Sequence, residues 1–357
     1  MILFNINKIR LRKKLTMFDL EIKLENFLSI KEATVKSKNN ITVIIAPNRA
    51  GKTQLMLLIY SIFWSWWREN IDRYNHSILL QKLKSVYLLK SINDLVKWDK
   101  NKLTVELKSS SLDFFYRISI IEDEYKESSH KIKPKNIEKN PIYLQLAGLG
   151  DYYKGIHSLK KYYPQWKLIS EAITDFISDL FIVSSEKGET DKENKKLLEL
   201  FEKLFSAKFY IQNERIYIQE KTKKYSIEKT ASGLKSLSWF YLIIRYNLVG
   251  NILFIDEPEV NLHPIYIDRL AYFLYRLSEG RKIFIATHSD YLLESFNKLI
   301  AKNNFKIDVW EGVLSEDGAI YNSYEADKDN LIDTTPLNET YIKIVKELFE
   351  YEEDIEL

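Results

Sequence analysis

Ile252-Leu-Phe-Ile-Asp256-Glu257-Pro258 is an apolar run that ends in two adjacent carboxylates and a proline. Four apolar residues in a row, bounded by turn formers, have the pattern of a strand buried on both faces. Two like charges side by side at its end are costly unless something cationic holds them. A strand delivering Asp256 and Glu257 to its C-terminal end suits one Mg²⁺ ligand and one base for water.

A second apolar strand, Ile41–Ile45, runs into Ala46-Pro47-Asn48-Arg49-Ala50-Gly51-Lys52-Thr53. This segment matches the pattern G-x-x-x-x-G-K-[ST], except that Ala46 replaces the first glycine. Such a loop cradles phosphates with its backbone amides, from Asn48 to Thr53 here, while Lys52 neutralises β/γ charge and Thr53 ligates Mg²⁺. Alanine at the first position costs little if its φ stays negative. A third strand, Ile283–Ala286, leads to Thr287-His288-Ser289. A lone histidine is more often structural, but one directly after a core strand can reach a γ-phosphate. These features predict a protein that binds a nucleoside triphosphate and hydrolyses it. Glu259 reads as an acid at the N-terminus of the next helix.

The bulk numbers exclude several other classes. At 357 residues the chain can bury a full core and form two lobes. Lys+Arg 53 against Asp+Glu 50 gives a net charge of +3, too small to argue for nucleic acid. The absence of cysteine excludes disulfides, thiol catalysis and Cys-ligated metals. With no signal peptide, a cytoplasmic location is expected. The longest apolar stretch, 239–255, is interrupted by Arg245, Asn247, Gly250 and Asn251, so no membrane span is expected.

Along the chain, 1–16 reads as a basic extension, because Met17 is a plausible start and Lys8–Lys14 is locally cationic. Residues 17–70 read as an N-terminal lobe. It holds an alternating, edge-like strand over 17–27, the phosphate loop, and a helix over 55–67 whose Phe63-Trp64-Ser65-Trp66-Trp67 cluster is core or interface rather than a ligand cage. Residues 71–225 read as antiparallel strands (103–108 and 112–121), a polar loop (126–139), amphipathic helices (151–180 and 191–205) and a hairpin (208–212 with 215–220). From 226 to 357 helices and strands alternate strictly, ending in a helix over 338–352. That implies a mostly parallel sheet with ligands at the strand C-termini.

With the phosphate loop, the Asp-Glu strand and His288 in order, the sequence resembles the ABC-type P-loop ATPases of the SMC and OLD branch. The resemblance implies an ABC-type α/β head: a mostly parallel central sheet, an antiparallel β subdomain and a helical insertion. It implies ATP and Mg²⁺ as cofactors, with the nucleotide sandwiched between two heads, and therefore a homodimer through ATP. Ala231-Ser232-Gly233-Leu234-Lys235-Ser236 stands where the family carries its signature, so Ser232 and Gly233 would meet the γ-phosphate held by the opposite subunit. Gln145 is the best match to the family's Q-loop glutamine. Asn26-Phe27-Leu28-Ser29-Ile30 is similar to the opening of these heads, and Glu257-Pro-Glu-Val-Asn-Leu-His-Pro264 to the OLD-like ATPases. Lys235 departs from the polar neutral residue common in relatives. OLD proteins continue into a nuclease domain, whereas Asp327 and Asp329 read here as a solvated loop.

Two functions are expected from this reading. One is an ATPase whose closing heads act on DNA or a partner effector; the other is an ATP-dependent switch module that controls a separate effector. Lysines interleaved with Tyr152, Tyr153, Tyr162 and Tyr163 fit an amphipathic helix better than a nucleic-acid surface.

Overall fold

The computed structural model describes residues 18–69, 78–131, 139–163, 166–185 and 190–335, with Lys343 and Val345. Strands β1 (Leu20–Phe27), β2 (Ile30–Ser37) and β3 (Ile41–Ile45) lead into helix α1 (Lys52–Glu69) and the short α2 (Ile78–Val86). Strands β4 (Lys102–Ser109), β5 (Phe114–Ile121), β6 (Glu124–Lys131) and β7 (Ile142–Gln145) follow. Helices α3 (Leu149–Tyr162), α4 (Glu171–Ser185) and α5 (Lys192–Phe205) precede a small sheet of β8 (Lys208–Gln212), β9 (Arg215–Glu220) and β10 (Lys223–Ser226). The C-terminal part alternates α6 (Ser232–Arg245), β11 (Ile252–Asp256), α7 (Pro264–Leu277), β12 (Lys282–Ala286) and α8 (Asp290–Asn303), then closes on β13 (Ile307–Ser315) and β14 (Gly318–Ala326).

Eleven strands form one sheet in the order β6-β5-β4-β1-β2-β14-β13-β3-β12-β11-β7. The block β13-β3-β12-β11-β7 is parallel throughout. Every residue of β3, β11 and β12 is buried, as continuous apolar runs require when helices cover both faces. Side-chain alternation splits each strand between two cores: Val43, Ile45, Leu253 and Ile255 face one; Ile44, Ile252, Phe254 and Phe284 face the other, with Leu55, Ile59, Phe63 and Trp66 of α1. The antiparallel strands expected beside this block extend the same sheet, joined to it through β14, which runs antiparallel to β13 and parallel to β2.

Four expectations change. The alternating strand β1 is not an edge; it pairs with both β2 and β4, because one solvated face produces alternation wherever the strand lies. The polar stretch from 126 begins as strand β6, whose backbone pairs with β5 from Phe114 to Ile121 despite its hydrophilic side chains. The helix expected over 151–180 is two helices. Tyr163, which precedes Pro164, leaves the helical region at φ −135° and ψ 55°, as the proline ring demands of its neighbour. The 208–220 hairpin gains a third strand, β10. The basic stretch 8–14 and nearly all of the helix expected over 338–352 lie outside the described residues.

Candidate functional site

The phosphate-loop segment joins the C-terminal end of β3 to α1. Arg49 and Gly51 both adopt left-handed backbone, at φ 70° and 87°. Gly51 has a second reason to lack a side chain: a Cβ there would stand 2.6 Å from Ser29 Oγ. This accounts for Asn26–Ile30, since Asn26 and Leu28 turn the chain with positive φ and Ser29 is set beneath the loop, donating to Gln54 Oε1 at 3.0 Å. Ala46 is absent from the positive-φ residues, as its substitution for glycine requires. Its methyl fits because β13 carries Gly312, whose own Cβ would lie 2.8 Å from that of Ala46. Tyr321 on β14 secures the loop from behind, its hydroxyl donating to Ala50 O at 3.0 Å.

Strand β11 brings Asp256 beside this loop. Thr53 Oγ1 donates to Asp256 Oδ2 at 2.8 Å, and the buried Tyr143 hydroxyl donates to the same oxygen at 2.9 Å. Burial pushes the Asp256 carboxyl up from its ordinary range, while these two hydrogen bonds oppose the shift. Lys52 Nζ is 7% exposed as a residue and donates to Ala46 O at 2.7 Å. Burial lowers its pKa to about 8, against the pull of Asp256, Glu257 and Glu259. A hydroxyl and a carboxylate side by side are hard oxygen donors, fitting Mg²⁺, which takes one or two protein ligands and its remainder from phosphate and water.

Glu257 is held at φ 51°, with its N–H donating to Ala286 O at 2.9 Å across to β12. Its carboxylate makes no hydrogen bond or ion pair among the described residues, which leaves it available as a base. His288 follows β12 and stands with Nδ1 3.5 Å from Lys52 Nζ. Desolvation and the Lys52 charge lower its pKa, which favours the neutral imidazole. Gln145 is the register partner of Asp256 across the β7–β11 pair, at the same end of the sheet.

Two residues here were not anticipated. Tyr143 gave no signal as an Asp256 partner in the sequence, because it reads only as a strand residue. Glu259, expected at a helix N-terminus, is not in a helix: α7 begins at Pro264, capped by His263. Instead Glu259 Oε1 accepts from Thr287 Oγ1 at 2.6 Å and from the His288 N–H at 3.2 Å, tying the segment after β11 to the one after β12.

Ser232 and Gly233 open α6, with Ala231 as N-cap and Ser232 exposed. No hydrogen bond or ion pair joins them to residues 46–53 of the same chain among the described residues. Gly233 instead packs on the segment after β11, where a Cβ would stand 2.8 Å from Asn261 O. Lys235 pairs with Asp151 of α3 at 2.6 Å. Asp327 caps its own loop, accepting from the N–H of Asp329 and of Asn330 at 3.1 and 3.2 Å.

The family model described as "AAA domain, putative AbiEii toxin, Type IV TA system" matches residues 86–294. That span is more than half of the chain; it contains Gln145, Ser232, Gly233, Asp256, Glu257 and His288, and begins after the 46–53 loop. Among solved structures, the chain is similar to the SmcHead bound to the C-winged helix domain of ScpA. The TM-score is 0.55 at 12% identity, over 87% of this chain and 98% of that one. It is also similar to the Smc head domain with an extended coiled coil bound to the C-terminal domain of ScpA, derived from Pyrococcus furiosus. There the TM-score is 0.52 at 13% identity, over 92% of this chain and 98% of that one. At such identity the likeness is one of fold. No curated protein matches.

Proposed function

This chain belongs to the AAA-domain family of that description and has the fold of an SMC-type ATPase head, and from that premise we propose that it binds and hydrolyses ATP. The observation that carries the reading is the convergence of Lys52, Thr53, Asp256, Glu257 and His288 at adjoining strand ends, with Thr53 Oγ1 2.8 Å from Asp256 Oδ2. Lys52 and the amides of residues 48–53 bind the phosphates. Thr53 and Asp256 would hold Mg²⁺, which would neutralise phosphate charge when bound. Glu257 takes the proton of the attacking water, and neutral His288 donates to the γ-phosphate while Gln145 borders the same end.

The site is completed by a second copy of the chain. Ser232 and Gly233 support this, since they open a helix N-terminus with Ser232 exposed, and among the described residues neither is bonded to its own phosphate loop. ATP turnover per chain that rises with protein concentration, and is lost in Ser232→Arg, is expected; turnover independent of both contradicts the two-copy site.

Of the two downstream roles, control of a partner protein is favoured over direct DNA work. The lysines of α3 are already paired: Lys154 with Glu228, Lys160 with Asp175, and Lys161 with Glu214. Beside them Tyr152, Tyr162 and Trp166 are 70%, 66% and 53% exposed, a surface with more apolar than cationic character. A duplex-binding assay with and without ATP separates the roles: salt-dependent binding would favour DNA.

A further inference from the structure

Strand β7 is an edge of the large sheet and, among the described residues, pairs only with β11. Its Tyr143 stands opposite Phe254 in that pairing, and both side chains enter the core shared with α1. The phenol ring lies 5.7 Å from that of Tyr60 on α1, and Tyr143 is 1% exposed. A hydroxyl carried into such a core is costly unless it finds a partner there. Asp256 follows Phe254 by two residues, so its side chain leaves the same face of the sheet, diagonal to Tyr143 and within reach of an aromatic side chain. The bond to Asp256 Oδ2 is the one hydrogen bond of this hydroxyl among the described residues. Phenylalanine would fill the same space, so what the tyrosine adds is that bond.

The bond changes what Asp256 can offer. Its Oδ2 also accepts from Thr53 Oγ1 at 2.8 Å, so donors from two elements, α1 and β7, converge on one oxygen. One donor alone would leave the carboxylate free to pivot about it; the second restricts that motion. Asp256 Oδ1 accepts no hydrogen bond among the described residues, and Thr53 spends its one proton on Oδ2, leaving its lone pairs free. The groups open to a cation or to its water shell are therefore Asp256 Oδ1 and Thr53 Oγ1. Partners that hydrogen-bond a metal-ligating side chain in this way set its orientation, and losing one typically weakens metal binding by about 10- to 100-fold.

We infer that Tyr143 is a positioning residue for Mg²⁺ at the phosphate site, holding the Asp256 carboxylate so that Oδ1 receives the ion or its water. This role rests on the nucleotide reading above and adds to it a residue outside the phosphate-directed motifs. The test reads binding, not turnover. Calorimetric titration of the full chain with the non-hydrolysable ATP analogue AMP-PNP, once with Mg²⁺ and once with excess EDTA, gives the gain in affinity that the metal supplies. Tyr143→Phe is expected to cut that gain by about tenfold, with the affinity in EDTA and the circular dichroism unchanged. On an Asp256→Asn background, where the carboxylate is already gone, the same substitution is expected to change nothing further. A Mg²⁺ gain equal in the unsubstituted chain and in Tyr143→Phe, a loss of equal size with Mg²⁺ and with EDTA, or a full additional loss on the Asp256→Asn background would each overturn the role of Tyr143. No Mg²⁺ gain in the unsubstituted chain would overturn the nucleotide site itself, a result distinct from the other three.

Discussion

Thr53 Oγ1 and Tyr143 Oη donate to one and the same oxygen of Asp256, at 2.8 and 2.9 Å. The first bond ties the phosphate loop to β11, and the second ties β7 to it. Tyr143→Phe keeps the buried ring and removes only the hydroxyl. A hydrogen bond to a carboxylate contributes about 1.5–3 kcal/mol, so unfolding stability is expected to fall by about that amount or less. Circular dichroism should remain native, and denaturant titration measures the change.

Glu259 connects the two strand ends that carry Glu257 and His288. Removing its side chain frees Thr287 and the His288 backbone, so Glu259→Ala is expected to lower ATP turnover by about 10- to 100-fold through misplacement of His288. Glu259→Gln keeps an acceptor at the Oε1 position and is expected to retain most of the activity. Equal loss in both variants would mean that the negative charge, not the positioning, matters.

Lys52 supplies a pH dependence whose sign can be worked out. Burial lowers its pKa to about 8 in the free chain, and a bound triphosphate must raise it, because the anion favours the ammonium. ATP affinity is thus fully present below pH 8 and declines as pH rises through that value, with proton uptake on binding. Titrations from pH 7 to 9.5 in buffers of different ionisation enthalpy measure both. Lys52→Met is expected to bind weakly at every pH, with the slope gone.

The missing first glycine of the loop is compensated elsewhere. Ala46 is accommodated by Gly312, where a Cβ would also lie 2.6 Å from the Tyr321 ring. Gly312→Ala is expected to cost about 1–3 kcal/mol by overpacking, and to loosen the Tyr321–Ala50 bond behind the phosphates. Adding Ala46→Gly should restore part of the stability, since the Tyr321 contact remains; thermal unfolding of the three variants decides it.

How much of this was legible in the sequence depends on where the information lies. Strands β3, β11 and β12 were readable because burial on both faces demands unbroken apolar runs, and the site followed from what stands at their ends. Gln145, picked out by its place after the apolar 142–144, lies in register opposite Asp256. Strands β2 and β14 escaped, since their alternating and polar residues resemble loop until a partner strand is known. Glu259 and Tyr143 escaped for a related reason: each acts through a contact between segments far apart in the chain, and no local pattern encodes it.

The central claim is that two copies close on ATP and reopen after Glu257 has acted. Glu257→Gln removes the base while preserving the fold, so with ATP and Mg²⁺ light scattering should show a dimer that persists, with turnover abolished. Adding Ser232→Arg to that variant should return it to a monomer. A Glu257→Gln chain that stays monomeric with ATP and turns over at the unsubstituted rate would contradict the account.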